Sequence, residues 1–211
     1  MSNFGKYCGN ELNYVQKFLD TENPENKNYP WVRKFEEKFI ELSGSKYAIA
    51  VNSATSGLHS AIMACDLKPG DEVIAPAITV VMNSVATIIS GFVPVFADIN
   101  PKTWNIDINT ILPKVTNRTK VIMPVSLFGL PVDIEPIMKF AKEKNIKVID
   151  DSAETIMGYY KNKFAGKFSK FGCFSMHPLK NLNVWGDGGF ILCSNKSDYN
   201  KMRLMRNHGL V

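Results

Sequence analysis

The sequence is poor in the residues that build disulfide frameworks and metal sites. Four cysteines, Cys8, Cys65, Cys173 and Cys193, stand far apart with no Cys-x-x-Cys pair, and three histidines form no cluster with them. That spacing fits neither a zinc site nor a disulfide framework and reads as reduced thiols, mostly in the core. No uninterrupted apolar run reaches the roughly 18 residues needed to cross a bilayer, so no membrane span is expected. The first nine residues carry one lysine and no apolar stretch of signal length, which points to the cytoplasm. Basic runs of about five or more are also missing. The 25 Lys and Arg against 20 Asp and Glu, a formal charge of +5, are scattered and offer no track for a polyanion, so nucleic acid is not an expected partner. Neither Gly-x-Ser-x-Gly nor a Ser-His-Asp order occurs, so acyl-hydrolase chemistry has no support. With 14 glycines and 11 prolines, collagen-like and low-complexity compositions are excluded as well.

What is present is an ordinary soluble composition, 45% hydrophobic and 21% charged over 211 residues, enough for one sizeable domain. Residues 1–30 are polar and rich in turn formers, and read as an N-terminal arm and loop, with the loop itself over 21–30. A helix is predicted next, with Val32, Phe35, Phe39, Ile40 and Leu42 at helical spacing and Gly44 as its stop. Beyond it, short runs rich in Val and Ile over 47–51, 72–76, 93–98, 120–125 and 147–150 alternate with amphipathic stretches of helix length. Alternation of this kind predicts a mostly parallel sheet with helices on both faces. Two more strands are expected over 172–175 and 189–193. Their Gly-rich connection is too short for a long helical crossover, so this pair is antiparallel or displaced in the sheet. A last helix over 197–206, capped by Ser197, is expected to stop near Gly209.

Ligands of open sheets gather beyond the carboxyl ends of the strands. After the first strand comes Asn52-Ser53-Ala54-Thr55-Ser56-Gly57, small and hydroxyl-bearing residues leading into a helix. Free N–H groups at a helix start make a phosphate site, although Ser53 or Thr55 can equally serve as a plain helix cap. Beyond the strand at 147–150 stand three acids, Asp150, Asp151 and Glu154. Carboxylates at the end of a buried strand need partners: they can cap the next segment, coordinate a metal or pair with a cationic ligand nitrogen. Past the strand at 172–175 come Ser175, His177 and Lys180, then Gly186-Asp187-Gly188-Gly189. A lysine beside a flexible loop is ordinarily solvated. Lys180 is flanked by Pro178, Leu179 and Leu182, and a lysine held among apolar groups becomes a usable nucleophile. His177 reads most simply as a hydrogen-bonder at the strand end. A phosphate-type turn, a strand-end carboxylate and a later Ser with a Lys five residues on are what pyridoxal phosphate requires.

On these residues the chain resembles the DegT/DnrJ/EryC1/StrS family of pyridoxal-phosphate-dependent sugar aminotransferases, of the type I aminotransferase fold. The resemblance runs from about Trp31 to the end. It is carried by Phe35-Glu36 with Gly44-Ser45-Lys46-Tyr47-Ala48; by Asn52 through Leu58; by Pro69-Gly70-Asp71-Glu72-Val73-Ile74-Ala75-Pro76; by Pro94-Val95-Phe96-Ala97-Asp98-Ile99; by Asp150-Asp151-Ser152-Ala153-Glu154; and by Phe174 through Lys180 with Gly186-Asp187-Gly188-Gly189. It implies an α/β large domain over 31–211, a mostly parallel mixed sheet of about seven strands flanked by helices. It also implies that the small C-terminal domain of the family is absent and the chain truncated.

By the same resemblance, Lys180 corresponds to the lysine that forms the Schiff base with pyridoxal 5'-phosphate and moves the proton. Asp151 corresponds to the carboxylate that keeps the ring nitrogen protonated, and Ala153 lies against one ring face. Ala54, Thr55 and Ser175 occupy the phosphate-binding positions. Glu154 stands where Gln is common, near the phenolic oxygen, and a carboxylate there is repelled by a phenolate unless protonated or turned away. Val80 stands where the family often has an aromatic residue, and covers the ring without stacking. The implied reaction moves an amino group, commonly from glutamate, to a nucleotide-linked keto-deoxysugar. Retention of the Lys, where the dehydratase branch has His, favours transamination, and a homodimer is the implied partner. Two other readings stay open: a pyridoxal-phosphate enzyme for another substrate, and a relative that binds cofactor or a partner without turnover.

Overall fold

The computed structural model describes residues 8–21 and 30–210. The expected loop over 21–30 lies, apart from its two ends, outside the described residues. The arm before it contains a helix that the sequence reading did not anticipate, α1 (Glu11–Thr21), none of whose residues is buried. Its short and mostly polar sequence hid the helical spacing of Leu12, Val15 and Leu19.

The remaining elements follow the expected alternation. They are α2 (Pro30–Ser43), β1 (Tyr47–Val51), α3 (Ala54–Met63), β2 (Glu72–Pro76), α4 (Met82–Ile89), β3 (Val93–Ala97), the single turn α5 (Ile108–Ile111), β4 (Thr119–Ile122), α6 (Ile134–Glu143) and β5 (Lys147–Asp151). The small ribbon of β6 (Tyr159–Tyr160) and β7 (Lys163–Phe164) precedes β8 (Phe171–Ser175), β9 (Gly189–Cys193) and α7 (Lys196–Arg206). Gly44, at φ +64°, ends α2 by returning its N–H to Ile40 O at 2.9 Å, a left-handed turn that glycine adopts without strain. Of the apolar positions read into α2, Phe39 is buried while Leu42 is exposed, because the helix turns the face of Phe39 and Ser43, four residues apart, inward. The cap of α7 is Asn195 rather than Ser197. Its side-chain oxygen accepts the N–H of Ser197 at 2.8 Å and of Asp198 at 3.4 Å.

Seven strands form one sheet in the order β1-β9-β8-β5-β4-β2-β3. All neighbours are parallel except at β9, which runs antiparallel to both β8 and β1. The antiparallel alternative for the last two strands is therefore the one adopted. Side chains alternate across the sheet, so Ile49, Val73, Val121, Ile149 and Ile191 face α3, α4 and α7 on one side. Ile74, Ile122 and Val148 face α6 on the other. There Phe190 of β9 is sandwiched between Phe39, with centroids 3.9 Å apart, and Phe174, with centroids 4.4 Å apart and planes only 4° from parallel. Cys65, Cys173 and Cys193 are buried free thiols and Cys8 is exposed. Burial pushes the Cys65 and Cys193 thiols up to about 12, which leaves them inert. Among the described residues no helix is long and apolar enough to cross a membrane.

Candidate active site

The carboxyl ends of β1, β2, β5 and β8 lie on one side of the sheet because these strands run parallel, with β9 alone running back between β1 and β8. Val51 and Ser175, the last residues of β1 and β8, both pair with Gly189, the first residue of β9. Three segments distant in sequence thus end at one level. Gly189 is required there, since a Cβ would stand 2.5 Å from Phe174 O and 2.9 Å from Ala54 N. The missing side chain lets the start of α3 rest directly on β9.

Helix α3 opens with Ser53 as its cap, whose hydroxyl accepts the Ser56 N–H at 3.2 Å. Gly57 N donates to Ser53 O at 3.1 Å. Helix geometry gives the preceding N–H groups, of Ala54 and Thr55, no internal acceptor, and both residues line the cavity beside Ser175. The capping and anion-binding readings of this turn are therefore compatible: Ser53 caps, and the two residues after it present free donors.

Asp150 and Asp151 are consecutive on β5 and point to opposite faces. Asp150 accepts from Gly166 N and from the Ser152 hydroxyl, each at 3.1 Å, away from the cavity. Burial, with the neighbouring Asp151 charge, raises its carboxyl to about 7. Asp151 enters the cavity, 5% exposed. Asn83 Nδ2 donates to it at 2.9 Å and the Ala153 N–H at 3.0 Å. Burial raises the Asp151 carboxyl in spite of both donors and of the nearby Lys180 charge, and among the described residues no cation forms an ion pair with it. Among the described residues no group of three His, Cys, Asp or Glu side chains could hold a metal ion. The divergence of the two aspartates is the geometric reason that this acidic stretch makes no such group.

Lys180 follows a tight turn in which its N–H donates to His177 O at 2.8 Å, and Asn181 Nδ2 anchors the next residue to Ile156 O at 2.7 Å. Its Nζ lies 2.8 Å from Glu154 Oε1. Glu154 Oε2 accepts the Phe128 N–H, also at 2.8 Å. Burial works to raise the Glu154 carboxyl, but the Lys180 ammonium and the Phe128 N–H outweigh it and hold it below the usual range. The apolar setting expected for Lys180 from its flanking residues is not formed by them, since Leu179 is 87% exposed and Leu182 is also exposed. The half-buried carboxylate of Glu154 is its immediate neighbour instead.

All eight residues singled out in the sequence, Ala54, Thr55, Val80, Asp151, Ala153, Glu154, Ser175 and Lys180, line a single cavity of about 470 Å³. Val80 sits at its exposed side, beside Thr79. The sequence reading missed Asn83, Val125, Leu127 and Asp187 as parts of the surroundings. Asn83 is one of three polar residues of α4, with Ser84 and Thr87, and nothing local marked it out, since its partner Asp151 is 68 residues away. His177, read as a hydrogen-bonder, accepts the Leu179 N–H at Nδ1 (3.2 Å) and also lines the cavity, with Nε2 4.0 Å from Asp187.

Residues 8–211 match the profile of the DegT/DnrJ/EryC1/StrS aminotransferase family. A GDP-perosamine synthase of Escherichia coli O157:H7 is 37% identical over 204 residues, which are 96% of this chain and 55% of that protein. A UDP-N-acetyl-3-dehydro-alpha-D-glucosamine 3-aminotransferase of Acidithiobacillus ferrooxidans is 37% identical over 177 residues, 84% of this chain and 48% of that protein. Among solved structures, an aminotransferase from Psychrobacter cryohalolentis superposes with a TM-score of 0.90 at 33% identity, over 96% of this chain and 51% of the other. The NtdA protein of Bacillus subtilis, solved with bound PMP cofactor, superposes with a TM-score of 0.82 at 32% identity, over 92% of this chain and 43% of the other. The chain spans about half the length of the relatives that it matches.

Proposed function

Because this chain belongs to the DegT/DnrJ/EryC1/StrS aminotransferase family, we propose that it carries the cofactor-binding half of a pyridoxal-phosphate-dependent aminotransferase acting on a nucleotide-linked keto sugar. The observation that carries the reading is Asp151, a buried carboxylate aimed into a cavity with two neutral donors and an unmet need for a cation. A pyridinium nitrogen meets that need. The free N–H groups of Ala54 and Thr55 and the Ser175 hydroxyl fit a phosphate. Lys180 supplies the amine that would hold the aldehyde carbon in a Schiff base. The cofactor, when bound, supplies an electron sink for the carbon that exchanges its amino group.

Each residue then has a task of its own. Asp151 holds the proton on the ring nitrogen, and Asn83 fixes the plane of its carboxylate. Ala153 and Val80 line the cavity and would flank the ring of a bound cofactor, with Val80 on the solvent side. The Lys180 amine, at the cavity wall, would be the group that moves a proton at the reacting carbon. Glu154 aims Lys180 and receives its ammonium in the intervals. Glutamate as amino donor and a second copy of the chain as partner complete the reading, and both rest on the family resemblance.

The test is to mix the purified chain with pyridoxal phosphate, reduce with borohydride and map the phosphopyridoxyl adduct by peptide mass. A single adduct on Lys180 that disappears in Lys180→Ala is the expected result. Adducts spread over many lysines would overturn the assignment of the site.

A further inference from the structure

Two aromatic residues next to the cavity are presented to solvent on backbone that resists the conformation. Trp104 has φ +61° and Phe128 φ +53°, the left-handed region that bulky side chains disfavour. Their residues are 50% and 75% exposed, so burial within this chain does not account for the arrangement. The backbone is nevertheless held on every side. Asn105, itself buried, donates to Leu130 O at 2.9 Å and accepts the Leu127 N–H at 3.0 Å, lashing the Trp104 loop to the Phe128 loop. Trp104 N donates to Asn100 O at 2.8 Å. Phe128 N donates to Glu154, the carboxylate that also holds Lys180. The two rings meet edge to face, with centroids 6.3 Å and planes 61° apart. Strain maintained by a buried asparagine and a site carboxylate, in order to display two rings, is the mark of a contact made with something else.

The location limits what that is. Leu127, adjacent to Phe128, lines the cavity, whose 470 Å³ is on the scale of a pyridine cofactor with one sugar ring. The nucleoside end of a nucleotide-linked sugar then lies outside the cavity, beyond its rim. Stacking on an aromatic face suits a flat heterocycle and tolerates any base. We infer that Trp104 and Phe128 form the platform on which the base of the nucleoside diphosphate-linked substrate stacks. The inference rests on the nucleotide-sugar reading and adds to it the residues that bind the base.

The test uses the 211-residue chain loaded with pyridoxal phosphate, with Trp31→Phe and Trp185→Phe so that Trp104 is the one remaining indole. Titration with GDP and with UDP is expected to quench its fluorescence saturably. In the unmodified background, calorimetry should give at least fivefold weaker GDP binding for Trp104→Gly and for Phe128→Gly, with Phe128→Tyr near wild type, while pyrophosphate affinity stays constant. Glycine relieves the backbone strain, so both glycine variants are expected to melt no lower than the parent. If the rings served folding instead, these variants would melt lower with GDP affinity intact, and the platform would be overturned. A change in sedimentation mass with unchanged GDP affinity would likewise overturn it, in favour of a contact with a second copy. If GDP and UDP fail to bind a chain whose Lys180 still forms the adduct, the platform and the nucleotide-linked substrate fall together while the cofactor site stands. If GDP binds equally to all variants, only the platform falls.

Discussion

Glu154 holds the Lys180 ammonium 2.8 Å from one carboxylate oxygen and the Phe128 N–H 2.8 Å from the other. One side chain thereby joins the lysine at the end of β8 to the loop that follows β4. Because the pair is mostly shielded from solvent, the interaction exceeds that of an ordinary surface ion pair.

The depressed Glu154 carboxyl sets a pH dependence with a definite sign. Its contribution to stability is complete above the ordinary glutamate value of about 4.3 and is lost as pH falls through the lower folded value. Glu154→Gln keeps an acceptor for Phe128 but removes the charge. It should cost about 1 kcal/mol at neutral pH. Urea midpoints measured over a pH series should show the gap from wild type closing as pH falls below the ordinary glutamate range. A gap that stays constant would mean that the ion pair is not its source.

Asp150 has the opposite sign. Its carboxyl is raised to about 7 by burial, so stability is greatest below the ordinary aspartate value of about 3.9 and declines as pH rises through about 7. Asp150→Asn is isosteric and uncharged, and should flatten that decline, making the variant more stable than wild type at about pH 8 and no more stable at about pH 4. Thermal melting at the two pH values checks this. A variant less stable than wild type at about pH 8 would show that the ionised carboxylate is favourable beside the Gly166 N–H, against the direction that burial sets.

Gly189→Ala puts a methyl group 2.5 Å from Phe174 O and 2.9 Å from Ala54 N. Both neighbours are backbone and cannot turn aside. The expected loss is about 2–4 kcal/mol, within the range for overpacking at a rigid site. Because the start of α3 must move, phosphate affinity should fall as well, measured by titration with pyridoxal phosphate in a Lys180→Ala background. Normal affinity with normal stability would show that β9 yields instead.

Phe190→Ala removes the central ring of the Phe39–Phe190–Phe174 stack on the face away from the cavity. Its site is fully buried, so the cost should be about 3–5 kcal/mol. Chemical denaturation measures the cost. Since Ser175 and Gly189 keep their pairing, any protein that still folds should form the Lys180 adduct.

Much of the fold was legible because the sheet interior is buried on both faces. A strand in that position must be a short and mostly apolar run, and Glu72–Pro76 and Gly189–Cys193 are written so. The helix α1 and the ribbon of β6 and β7 were not legible, because exposed or two-residue elements leave no periodic signal. The eight site residues were legible through the family resemblance and their place after strand ends. Asn83 was not, since an asparagine within a helix acquires its meaning only from what it faces.

By itself the sequence determined the alternation of strands and helices, the small residues after β1, and the presence of an acid and a lysine at two strand ends. These are local properties, set by side-chain size, periodicity and turn chemistry over a few residues. Only the tertiary structure decided that Val51, Gly189 and Ser175 share one level, that Asp150 and Asp151 part to opposite faces, and that Glu154 rather than an apolar wall meets Lys180. Those outcomes depend on strand order and register, which are selected by the packing of the whole sheet against its helices and belong to no single segment.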